Sequence, residues 1–116
     1  MVEKEEASRA VLLTAAWMFM RHGRPERAKP IVEALVEINP RDGEAAAAFA
    51  QILLDDGEAD RALGVLRLAD FPPRLAHAAA VMETRALRSL GRNRDADSRW
   101  RRYVEASKGA DRRWVG

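Results

Sequence analysis

No cysteine occurs in the 116-residue chain, which excludes disulfides, thiolate nucleophiles and cysteine-ligated zinc. Histidine is almost as scarce. The two that occur, His22 and His77, have no carboxylate or second imidazole at a metal-ligand spacing on the same helix, and a surface or capping role is expected of each. There is no glycine-rich phosphate loop and no serine in a nucleophile elbow. The adjacent acids Glu5-Glu6 and Asp55-Asp56 point apart on a helix, so neither pair makes an acid–base couple. No catalytic constellation, metal site or cofactor follows, and a non-enzymatic role is expected. The apolar stretch at residues 10–20 falls short of the roughly 20 residues needed to cross a bilayer. The opening Met1-Val2-Glu3-Lys4-Glu5-Glu6 is too acidic for a signal peptide, so a cytoplasmic location is expected.

What is present is periodic. Gly23, Gly57 and Gly91 recur at intervals of 34 residues, and Ala28, Ala62 and Ala96 keep the same interval. A glycine followed five residues later by an alanine, every 34 residues, is the signature of tetratricopeptide repeats. Counted from Arg9, the repeats run over 9–42, 43–76 and 77–110, within one domain covering 1–116. The small residue of each first helix is Ala16, Ala50 or Thr84, and three residues later come Phe19, Leu53 and Leu87. Val32, Leu66 and Trp100 are the large residues of the second helices. Pro40 closes the first repeat, Pro72 and Pro73 displace the break in the second, and Lys108 stands there in the third. The expected fold is all-α: six antiparallel helices in three stacked pairs, a short right-handed superhelix with a concave groove. The alternative is an ordinary helical bundle whose glycines coincide, and agreement at several positions argues against it.

The helices are expected over 6–21, 25–38, 43–55, about 59–70, 74–90 and from 93 or 94 onward. Pro25 is placed to open the second helix, Pro30 to distort it slightly, and Asp42 to cap the third. Residues after Gly109 read as a tail. Repeat arrays end on a polar closing helix; with none left after 109, either Trp114 folds back or a partner covers the end.

In such an array the first helix of each repeat lines the groove. The corresponding positions are Ala10, Leu13, Trp17, Met20 and Arg21; Glu44, Ala47, Gln51, Leu54 and Asp55; and Ala78, Val81, Arg85, Arg88 and Ser89. Of these, Leu13, Trp17, Met20, Ala47, Gln51, Leu54, Val81, Arg85 and Arg88 are the candidate partner-binding residues. The first row is unusually apolar for a solvent face, with Trp17 and Met20 outside the interhelix packing positions. Large, adaptable apolar groups are favoured at interface cores. The other reading of Trp17 is a contact with an N-terminal segment of its own chain.

Residues Val11-Leu12-Leu13 through Trp17, then Gly23, Glu26-Arg27-Ala28, Ala34-Leu35 and Asn39-Pro40, resemble the YscY/SctY-type chaperones of bacterial type III secretion. So does Trp100-Arg101-Arg102-Tyr103-Val104-Glu105, while the alanine-rich third helix and Asp70-Phe71-Pro72-Pro73 depart from that family. The resemblance implies a cytoplasmic chaperone that holds a small early-secreted X-type protein as a heterodimer. It also implies that the pair associates with the cytosolic ring of the export gate, without cofactor or catalysis. Needle-subunit co-chaperones, HrpB-type secretion proteins and a generic adaptor are the neighbouring readings.

Net charge is only +2, but residues 85–113 carry ten basic against four acidic side chains. This is either a solvated face or a docking patch, with Arg99, Arg101 and Arg102 at its centre. An acidic protein surface is the expected partner of such a patch. Nucleic acid is disfavoured because Asp95, Asp97 and Glu105 interrupt the basic run.

Overall fold

The computed structural model describes the backbone of residues 2–115 and the side chains of residues 3–109. Six α-helices follow one another: α1 (Val2–Arg21), α2 (Pro25–Ile38), α3 (Gly43–Asp55), α4 (Ala59–Leu68), α5 (Ala76–Ser89) and α6 (Asn93–Val115). A 3-10 turn, Pro73–Leu75, precedes α5, because Pro72 and Pro73 force an extended entry. No strand occurs among the described residues; there is one isolated parallel bridge, between Asp42 and Asp70.

Each turn between paired helices is built the same way. Gly23, Gly57 and Gly91 have φ of +70°, +80° and +76°. The residue after each glycine donates its N–H five residues back: Arg24 to the Phe19 carbonyl at 2.7 Å, Glu58 to Leu53 at 2.8 Å, Arg92 to Leu87 at 2.8 Å. This is the Schellman closure, and it satisfies carbonyls that the helix end leaves open. A Cβ on Gly57 would meet nothing within 4 Å, so the demand there is conformational rather than steric. Gly57→Val is therefore expected to cost roughly 1–2 kcal/mol, since L-residues are strained at positive φ. Equal melting temperatures of variant and parent would contradict this.

Consecutive helices pack as antiparallel pairs, and α2 lies against α3 as α4 lies against α5. The first helices α1, α3 and α5 also touch in series, whereas α2, α4 and α6 make at most slight mutual contact. The first-helix layer is thus the tighter, inner one. The core runs along it through Ala16, Val32, Leu53, Leu66 and Leu87, all buried, with Phe19 half-buried against it. Trp100 does not join this core. It stands half-buried in an aromatic cluster, 6.0 Å from the His77 ring and 5.4 Å from Tyr103 between centroids.

Several boundaries differ from the sequence reading, among them the end of α4 at Leu68, two residues before position 70. Helix α1 begins at Val2, four residues before position 6, since nothing in that acidic first turn opposes helix and acids suit a helix N-terminus. Helix α5 begins two residues after position 74. Helix α6 continues to Val115 through Gly109, where a glycine costs only about 1 kcal/mol against alanine. The residues read as a tail are helical, and the fold-back expected of Trp114 lies outside the described side chains. The outward face of α6 carries exposed Arg94, Arg101, Arg102 and Glu105 and is therefore polar. Pro30 leaves α2 unbroken.

A charged network joins the first two repeats at one edge. Arg9 on α1 donates to Asp42 at 2.7 Å and 2.9 Å and to Glu44 at 3.2 Å, and Glu44 takes Arg74 at 3.0 Å. Asp42, buried, also caps α3 by accepting from the Ala45 N–H at 3.2 Å. The Arg9 guanidinium holds the Asp42 carboxyl below its ordinary range, with the Ala45 N–H helping against burial. Arg74, then Arg9, do the same to Glu44. A carboxyl depressed in the folded state contributes stability above its unfolded pKa, and loses it as pH falls through the lower folded value. Acidification below about pH 4 should therefore destabilise the parent chain more steeply than Asp42→Asn, read as melting temperature against pH. Parallel curves would remove Asp42 from the account.

Candidate functional site

Groove position 9 of the repeat is open in the first and third, where Trp17 is 40% exposed and Arg85 exposed, and half-buried at Gln51 in the second. Val81, at 42%, and Arg88 extend this surface on α5. Arg85 reaches Asp55 at 3.4 Å, Gln51 donates to Asp55 at 3.1 Å, and Arg88 meets Asp97 at 3.0 Å. These are exposed pairs worth a fraction of a kcal/mol each, readily exchanged for a partner's acids.

Other candidates are not surface. Leu13 is buried with Leu35 and Ala45, wedged where α1, α2 and α3 meet. Ala47 and Leu54 are buried because α3 is the middle helix of its layer, packed against α1, α2, α4 and α5. Met20 is half-buried and packs on the core, contrary to its expected place outside the packing positions. Residues 2–8 continue α1 rather than folding back, so they do not cover Trp17. In the basic third, Arg99 is mostly buried and donates to Glu83 at 2.7 Å, clamping α6 to α5; it is not free for docking. Arg101 and Arg102 are exposed. His22 donates from its ring to the Met18 carbonyl at 2.7 Å, a C-terminal cap on α1.

A second open surface lies on α1, away from the groove. Val11 is 69% exposed, Leu12 45% and Met18 55%. The residues 34 later are Ala45, Ala46 and Ile52, and 68 later Ala79, Ala80 and Ala86; all six are buried. In repeats two and three this face of the first helix is the stacking face, covered by the preceding repeat. In repeat one none of the described residues covers it, and its residues are mostly larger. Beside it, Leu12, Leu35 and Ile38 line a cleft of about 700 Å³ between α1 and α2, rimmed by Lys4, Glu5 and Arg9. The groove reading passed over Val11, Met18 and Ile38. The signal that could have found them was the 34-residue register itself, which sets large residues in repeat one against mainly alanine later.

Among the described residues no helix is long and apolar enough to cross a membrane. No curated relative matches the chain. The family model described as Tetratricopeptide repeat matches residues 19–83, more than half of the chain. With the repeating Schellman turns and the stacked helix pairs, this places the chain in the tetratricopeptide repeat family, whose arrays mediate protein–protein interaction.

Proposed function

We propose that the chain is a cytoplasmic chaperone of bacterial type III secretion, of the YscY/SctY type. It holds a small secreted partner against α1 and along the inner helix layer, and helps present it to the export gate. One observation carries this reading. Residues 10–20 contain no charge, yet Val11, Leu12, Trp17 and Met18 lie open on different sides of the same helix. A helix apolar nearly all round belongs in an interior, and in an otherwise charged chain it marks a surface a partner covers. The resemblance at Val11-Leu12-Leu13 through Trp17 and at Trp100 to Glu105 supports the finer identity. Arg101 and Arg102 are the groups offered to an acidic face of the gate.

Isolation of the complex from the native host, with mass spectrometry of its components, tests the reading. One small secreted protein in near-equal amount is expected, lost when the secretion genes are deleted. A stable complex with proteins unconnected to secretion, unchanged by that deletion, would leave only a general adaptor.

A further inference from the structure

The first junction of the array shows what the open face of α1 is built to receive. There α2 runs antiparallel to α3, covers Ala45 with Leu35, Ile31 and Val36, and adds charged pairs at its edge. Lys29 meets Asp56 at 3.0 Å and Glu58 at 3.3 Å, and Glu33 meets Arg61 at 3.4 Å. One repeat earlier, the positions of Asp56, Glu58 and Arg61 are held by His22, Arg24 and Arg27, all exposed. The receiving side is thus wholly basic or neutral where the first junction is mixed. A helix covering Val11, Leu12 and Met18 as α2 covers α3 would set two positions, four residues apart, against Arg24 and Arg27. Acids at both positions satisfy that edge.

The chain's own second helices do not carry this pair. At those two positions α2 has Lys29 and Glu33, α4 has Leu63 and Arg67, and α6 has Asp97 and Arg101. A second copy therefore brings at least one apolar or basic group to an arginine. We propose that the uncovered face of α1 docks one amphipathic helix of another protein, antiparallel to α1, with acids at i and i+4 facing Arg24 and Arg27. It occupies the place of a preceding repeat's second helix. This surface lies apart from the groove at Trp17, and the proposal deepens the chaperone reading, on which it rests, by stating what kind of segment covers this side of α1.

The test uses the chain's own stacking helix as probe. A peptide of residues 25–38, stapled on its outward side so that helix formation is not limiting, is made in three forms: native, Lys29→Glu, and Glu33→Lys. Each is titrated into the full chain and followed by NMR. The Lys29→Glu peptide is expected to perturb Val11, Leu12 and Met18 but not Trp17 or Val81. Its affinity should exceed the native peptide's about fivefold and the two-lysine peptide's by more, as for exposed ion pairs. The order should collapse in roughly 1 M salt and invert on the chain carrying Arg24→Glu and Arg27→Glu, whose fold is checked by circular dichroism. Trp17→Ala should leave these affinities unchanged, which separates this surface from the groove. Equal affinities, perturbation centred on Trp17, or no binding by any peptide at about 1 mM would overturn the proposal. So would sedimentation showing that the chain alone dimerises and that Leu12→Glu makes it monomeric.

Discussion

Gly43→Val is expected to lower the stability of the chain by about 3 kcal/mol, the upper range for forcing atoms into a packed site. Gly43 opens α3, and a Cβ built on it would collide with the backbone carbonyl oxygen of Asp70 and stand 3.0 Å from the Cα of Phe71. These are main-chain atoms and cannot swing aside. They are also held in place: the Asp70 N–H donates to the Arg41 carbonyl at 3.0 Å, pairing the two linkers that join successive repeats. Any relief must move the linkers apart and strain the stacking of α3 on its neighbours. Gly64, inside α4, is the control. A Cβ there meets nothing within 4 Å, and Gly64→Ala should be neutral or stabilising by up to about 1 kcal/mol. Thermal unfolding of both variants decides the matter. Similar, small shifts for the two would show that the linkers are not in close contact.

The largest effect on binding is expected at Trp17. Trp17→Ala should leave the unfolding free energy within about 0.5 kcal/mol of the parent's, as for an exposed position. It should weaken the partner complex by about 2 kcal/mol or more, some thirtyfold in Kd, as for an aromatic interface anchor. The contrast rests on exposure, because the ring is 40% open while Ala16 beside it is fully buried. Ala16→Leu, by comparison, should damage the fold itself. If Trp17→Ala unfolds the free chain and the folded fraction binds normally, Trp17 belongs to the core.

What could be read in the sequence was local. The Schellman turns need only a glycine and its immediate neighbours, so Gly23, Gly57 and Gly91 marked them correctly. Asp42 as cap followed from its place before an alanine-rich helix. Groove membership was harder, because a repeat position says which helix face a residue occupies but not what lies opposite. Leu13 meets Leu35 from the next helix, and Ala47 and Leu54 are enclosed because α3 is central, a fact about neighbours rather than position. Arg99 looked like part of a basic run until Glu83 was found across the α5–α6 hairpin. The collision partner of Gly43 lies 27 residues away in the chain, and nothing near Gly43 announces it. The exposed stacking face was encoded in plain view, since Val11, Leu12 and Met18 are large where alanine mostly stands in later repeats. Its meaning depended on knowing that those later positions are covered.

Site-specific photo-crosslinking in the native host tests the central claim most directly. A photoreactive residue is placed in turn at Val11, Trp17, Leu68 and Leu90, all exposed, and the adducts are identified by mass spectrometry. If α1 is the partner surface, positions 11 and 17 capture the same small secreted protein in high yield, while 68 and 90 capture little. Equal yields at all four positions, or adducts confined to 68 and 90, would contradict it.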